Sequence, residues 1–151
     1  MAVEDPARKP ADPLAPLTAD AGAWAREHLE RDIVGWLTTR APDGRLQSSI
    51  ISFLWTGDGI LFYSQPGTPK LRNIATAPQV AFTLQSDAYG DHVLALEGVA
   101  EVDASTLPSD RHAAYREKYR EPLAHWDMEE AQTARDFSVP VRIRPTRVRC
   151  W

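Results

Sequence analysis

Two glycine-bearing turns, Pro42-Asp43-Gly44 and Thr56-Gly57-Asp58-Gly59, divide the segment 33–63 into three apolar runs. This punctuation constrains the fold more than any other feature of the chain. Ile33 to Thr39 reads as a strand, Leu46 to Trp55 as a long second strand and Ile60 to Tyr63 as a third. Turns this short make consecutive strands antiparallel, so a three-stranded meander is expected. Another strand is expected at Gln79 to Gln85, where Val80, Phe82 and Leu84 share one face. His92 to Asp103 reads as a further one, and Gly98 in its middle signals a bulge or a close backbone approach. The chain ends in a strand from about Phe137 to Val148, which Pro140 and Pro145 limit to edge or bulged pairing. Helices come only at intervals. Thr18 caps one through about Arg31, with Trp24, His28 and Leu29 at helical spacing; Ser109 caps one over about Asp110 to Tyr119; a third is expected from Pro122 to about Arg135. Five or six antiparallel strands with so few helices describe a small, mainly β barrel of the α+β class.

The segment Ser64-Gln65-Pro66-Gly67-Thr68-Pro69-Lys70 carries the clearest chemistry. Thr68 is a good N-cap, and Pro69 follows at the first helical position, where a missing N–H has no consequence. Pro78 stops the helix after Ala77. Lys70 therefore sits in the first turn, where the helix dipole disfavours a cation. A lysine at an already positive helix end points to an anion held by both, and reads as a phosphate site. The chain has 14 Arg and only 3 Lys (Lys9, Lys70 and Lys118), so basic positions here default to arginine and this lysine stands apart. A solvated surface lysine is the plain alternative.

On the second strand, Leu46, Ser48, Ile50, Ser52 and Leu54 share one face, and Gln47, Ser49, Ile51, Phe53 and Trp55 the other. Neither face is wholly apolar. A strand lining a flat, partly polar ligand has this pattern, and so does an edge strand facing water.

Length suggests a single domain: an unstructured arm over 1–17, with Pro6, Pro10, Pro13 and Pro16 among charges and alanines, then a folded unit over 18–151. A net charge of −4 argues against a general nucleic-acid binder. No stretch approaches the roughly 18 apolar residues of a membrane span, no signal peptide is expected, and the cytoplasm is the expected compartment. A single cysteine, Cys150, excludes an internal disulfide or a cysteine-rich metal site. The histidines His28, His92, His112 and His125 lack metal-ligand spacing, so no metal site is expected. No dinucleotide fingerprint or nucleophile elbow occurs. Arg111, Tyr115, Lys118 and Tyr119 read as a solvated or dimer-contact face, and the alternating Arg142 to Arg149 as a strand with one charged side.

Four pieces occur in a recognisable order: the turn Asp43-Gly44-Arg45, the strand Ser48 to Trp55, the segment Leu61 to Ile74, and Leu96-Glu97-Gly98-Val99-Ala100-Glu101-Val102. Together they resemble the pyridoxamine-phosphate-oxidase-like split β-barrels, and within them the actinobacterial branch that uses the deazaflavin coenzyme F420; the closing Arg142 to Val148 resembles that branch too. The resemblance covers about residues 20–151 and implies an FMN-binding-type split β-barrel with flanking helices. In flavin-using relatives, the segment matching Tyr63, Ser64, Gln65 and on to Lys70 supplies a small hydroxyl residue and a lysine to the FMN phosphate. Ser64 and Lys70 would then hold an anionic group of the cofactor. Ser48, Ser49, Ile50, Ile51 and Phe53 would place backbone and short side chains against its ring. Arg72 and Asn73 would compensate for missing arginines or reach an F420 tail, although at 100° per residue Arg72 projects away from Lys70, which leaves a structural role open.

Two departures bear on function. Pro69 stands where the flavin oxidases usually have an arginine, and another arginine is missing near Ser48, which weakens FMN. Ile51-Ser52 replaces a large aromatic of many relatives, which should widen the space above the ring. The resulting expectation is an F420-dependent oxidoreductase that transfers hydride to a small electrophilic organic substrate. It would act as a homodimer with cofactor at the subunit interface, since about 130 residues leave little room for it inside one core. No catalytic residue is named. The alternatives are an FMN-dependent oxidase or reductase of the same fold, or a non-catalytic flavin- or haem-binding protein.

Overall fold

The computed structural model describes residues 11–151. The first ten residues of the expected arm lie outside that range. The last seven do not hang free: Asp12 accepts the Leu14 N–H at 3.0 Å, and Leu14 is buried in the core. Helix α1 (Ala19–Arg31) follows, its start capped by Thr18 Oγ1, which accepts from Ala21 N–H at 3.3 Å.

Seven strands form one antiparallel sheet: β1 (Val34–Arg40), β2 (Leu46–Ser52), β3 (Leu54–Trp55), β4 (Ile60–Ser64), β5 (Gln79–Thr83), β6 (Leu94–Val102) and β7 (Val139–Cys150). Their spatial order is β2-β1-β5-β6-β7-β4-β3. Three further helices follow among the described residues: α2 (Pro69–Thr76), α3 (Ala113–His125) and α4 (Glu130–Asp136).

The two edges of this sheet, β2 and β3, are consecutive in the chain and separated only by Phe53. The sheet must therefore curl until its edges meet, which makes it a half-barrel. This corrects two expectations. Leu46 to Trp55 is not one strand, and the three runs are not a meander: β2 pairs with β1, β3 with β4, and β4 with β7. Tyr119 of α3 explains the break. Its hydroxyl accepts the Phe53 N–H at 2.7 Å and lies 2.6 Å from Ile33 O and 2.8 Å from Phe53 O, so it replaces the ladder where the chain changes partners.

Strand β7 is interior, not an edge. Its prolines are accommodated locally. Pro145 lies opposite Gly98 at a register shift, where a Cβ on Gly98 would sit 2.6 Å from Arg144 O. Pro140 lies just beyond the last β6 pair, Val102 with Val141, and its carbonyl accepts from Asp103 N–H at 3.0 Å. The bulge at Gly98 and the buried Val80, Phe82 and Leu84 face are as read from sequence.

The helical boundaries after β6 differ from expectation. Ser109 is buried and caps nothing; His112 caps α3, accepting from Tyr115 N–H at 3.4 Å. Pro122 lies inside α3, and its carbonyl accepts from Trp126 N–H at 2.9 Å. Of the expected solvated face, Arg111 is exposed and precedes α3, whereas Tyr115, Lys118 and Tyr119 pack inward: Tyr119 is buried, and Lys118 Nζ sits 4.0 Å above the Phe53 ring.

Candidate functional site

All five β4 residues are buried, because this strand is covered on both sides where the half-barrel meets α3. At its end, Tyr63 donates its hydroxyl to Leu107 O at 2.6 Å. Ser64 Oγ donates to Gln65 O at 2.9 Å and lies 3.0 Å from Thr68 Oγ1. Thr68 is therefore occupied with Ser64, and no side chain caps α2, contrary to the expected capping role. The first-turn amides that follow Pro69 are left without a side-chain acceptor. Lys70 stands at this open helix end, partly buried, with no ion pair among the described residues. Burial pushes its pKa below the ordinary lysine value.

Lys70 opens into a cavity of about 630 Å³ between the sheet and helices α3 and α4. Five of the expected cofactor residues line it: Ile50, Ile51, Tyr63, Ser64 and Lys70. Ser52, read as a determinant of substrate space, lines it as well. The far wall is aromatic. Tyr63 meets Tyr115 edge-on at 4.9 Å, Tyr115 stacks on Tyr119 at 4.5 Å, and Tyr119 stacks toward Trp126 at 6.4 Å. Burial raises the Tyr63 pKa to about 12 and pushes Tyr115 and Tyr119 higher still, so all three hydroxyls stay neutral. Among the described residues, Lys70 is the one charged side chain lining this cavity.

The remaining expected residues lie elsewhere. Ser48 is exposed on the outer face, 2.7 Å from Thr38 Oγ1, and Ser49 is half-buried opposite Leu37. Gln65 is exposed in the turn. Phe53 is a core residue whose N–H and C=O both meet Tyr119, and it does not line the cavity. Asn73, 5% exposed, points its amide hydrogens at Thr39 Oγ1 (3.0 Å) and Gln47 Oε1 (3.3 Å), which tethers α2 to β1 and β2. Arg72 donates to Gly67 O. It borders a separate cavity of about 540 Å³ with Arg45 and Gln47, so it does not join Lys70.

Sequence reading missed the α3–α4 wall: Tyr115, Tyr119, Leu123 and Trp126 on α3 and its cap, with Met128 and Phe137 beyond. The spacing 115, 119, 123, 126 is a helical stripe, concealed when Pro122 is taken as the start of a new helix. The corner itself is a Schellman turn: Met128 N–H donates to Leu123 O at 2.9 Å and Asp127 N–H to Ala124 O at 3.2 Å. Asp127 holds the left-handed position at φ 54°.

A curled antiparallel sheet with a cavity beneath two helices defines a split β-barrel. The family model for pyridoxamine 5'-phosphate oxidase matches residues 23–151, and the chain belongs to that family. Its solved relatives span several functions. An F420 reductase is 26% identical with a TM-score of 0.62, covering 82% of this chain and 94% of its own. A Listeria innocua protein assigned as a pyridoxamine 5'-phosphate oxidase is 21% identical with a TM-score of 0.63, covering 83% and 94%. A heme storage protein from Vibrio cholerae is 15% identical with a TM-score of 0.61, covering 85% and 93%. No curated protein matches the chain. Among the described residues no helix is long and apolar enough to cross a membrane.

Proposed function

We propose that this chain is an oxidoreductase that uses coenzyme F420 to deliver hydride to a small electrophilic organic substrate. One observation carries the reading: a partly buried Lys70 stands at the start of α2, where no side chain of the described residues caps the helix or pairs with it, and it lines a cavity in which the described residues place no other charge. These residues fit a cofactor with an anionic group and a flat ring. Lys70 and the first-turn amides of α2 would hold the anion, and Ile50, Ile51 and Tyr63 would bound the ring. The deazaflavin supplies the hydride when bound. The protein would orient the reactants and exclude water, and the balancing proton would come from solvent; among the described residues no carboxylate or imidazole lines the cavity. Pro69 in the place of an arginine, and the likeness to an F420 reductase, favour F420 over FMN.

The family match favours FMN as the second reading. Mixing the protein with reduced F420 or reduced FMN and a panel of quinones and activated alkenes separates the two. Oxidation of F420 alone supports the proposal; oxidation of FMN alone overturns it.

The working unit in this reading is a homodimer. Edge strand β2 and its neighbour β1 present Trp36, Leu46 and Ile50 outward, with Trp36 paired directly across from Ile50. Ile50 is 53% exposed and also lines the cavity, so a second copy on this face would help close the site.

A further inference from the structure

We infer that the end of the cavity remote from Lys70 is a subsite for an uncharged, planar, apolar substrate, bounded by the α3–α4 corner. The substrate role rests on the cofactor reading above; the subsite itself does not. The row of rings from Tyr63 through Tyr115 and Tyr119 to Trp126 runs from beside Ser64 to the corner, which gives the cavity two ends. At the corner, Trp126 and Met128 are 39% and 38% exposed and both face the cavity, with Leu123 beside them. The Schellman turn at Asp127 sets these side chains, because it fixes Met128 against Leu123 just past the helix end. Ile33 and Val34 bound the cavity from the sheet.

The selection is electrostatic as much as steric. With Lys70 engaged by an anionic cofactor, no charged side chain among the described residues of the cavity remains to meet a carboxylate, phosphate or ammonium on the substrate. Burying such a group among Trp126, Met128 and Leu123 without a partner is strongly unfavourable. A flat neutral ring instead gains aromatic and thioether contact.

Equilibrium dialysis of the full chain without cofactor tests this directly, with 2,3-dimethyl-1,4-naphthoquinone as neutral probe and 1,4-naphthoquinone-2-sulfonate as its charged counterpart. The wild type and Lys70→Ala should bind the neutral quinone within about twofold of one another. A Trp126→Ala/Met128→Ser double variant should lose about tenfold, from lost apolar contact. Thr133→Phe, which adds volume at a lining position rather than removing packing, should lose at least as much. In the Lys70→Ala background the sulfonate should bind at least about tenfold more weakly than the neutral quinone. The inference is overturned if the wild type does not bind the neutral quinone, if binding follows Lys70 while ignoring Trp126, Met128 and Thr133, or if the sulfonate binds equally well. Because the probe needs no cofactor, quinone binding without F420 binding would leave the subsite standing and remove the cofactor reading, and the reverse would do the opposite.

Discussion

The Tyr119 hydroxyl lies 2.7 Å from the Phe53 amide nitrogen and 2.6 Å from the Ile33 carbonyl oxygen, at the one place where the sheet passes from one edge strand to the other. It accepts the Phe53 N–H and donates its own proton to a carbonyl, so the Phe53 N–H is not orphaned at the seam. Tyr119→Phe keeps the ring and removes only this service. A buried N–H without a partner costs about 1–3 kcal/mol, so urea unfolding should show a loss of that size. A loss under about 0.5 kcal/mol would mean that the hydroxyl does not hold the seam.

Lys118 should give stability an alkaline signature. Burial drives its pKa down to about 8, against a weaker opposing pull from Asp32, while its ammonium rests over Phe53 and 3.4 Å from Leu29 O. Between about pH 8 and the ordinary 10.5, the unfolded chain keeps a proton on this amine that the folded chain has released. Stability from this residue therefore rises with pH through that window, and below it the buried charge is a net penalty. Lys118→Met keeps an apolar stem over Phe53. It should raise stability at pH 7 and flatten the wild-type rise above pH 8. A parallel pair of curves would assign the alkaline behaviour to other groups.

Asp127 occupies a position that glycine fills without strain. Asp127→Gly should stabilise the protein by about 0.5–1 kcal/mol, read as a higher denaturant midpoint with unchanged slope. Destabilisation would show that the aspartate side chain has a role of its own at the corner.

The β4–α2 junction was legible because its signals are local: Pro69 sets the first helical turn, Pro78 the last, and Lys70 stands out in a lysine-poor chain. The break at Phe53 was not. Strand-like residues continue through it, and its cause is a hydroxyl 66 residues away. The α3–α4 boundary was hidden for the opposite reason. Pro122 looks like a helix start, whereas the real corner uses a left-handed aspartate, which carries no glycine signal. Half of the site followed the same division. Tyr63, Ser64 and Lys70 come from one short segment, while Tyr115, Tyr119 and Trp126 reach the cavity only once α3 docks.

The outward apolar face of β1 and β2 should hold two copies together. Ile50→Glu places a charge opposite Trp36, and sedimentation should shift from dimer to monomer with weaker cofactor binding. A wild-type protein that sediments as a monomer at tens of micromolar would contradict the interfacial site.

The most direct measurement is a pair of fluorescence titrations at one ionic strength, F420 against FMN, on wild type and Lys70→Ala. F420 should bind in the micromolar range and much more tightly than FMN. Lys70→Ala should cost about 1.5–3 kcal/mol, or roughly 10- to 150-fold, because a charge-assisted bond is lost. Wild-type affinity should hold at neutral pH and fall as pH rises through the burial-lowered Lys70 pKa, where the ammonium is lost. Tighter binding of FMN would move the protein to the flavin oxidases. Binding of neither, or unchanged affinity without Lys70, would contradict the anion site on which the account stands.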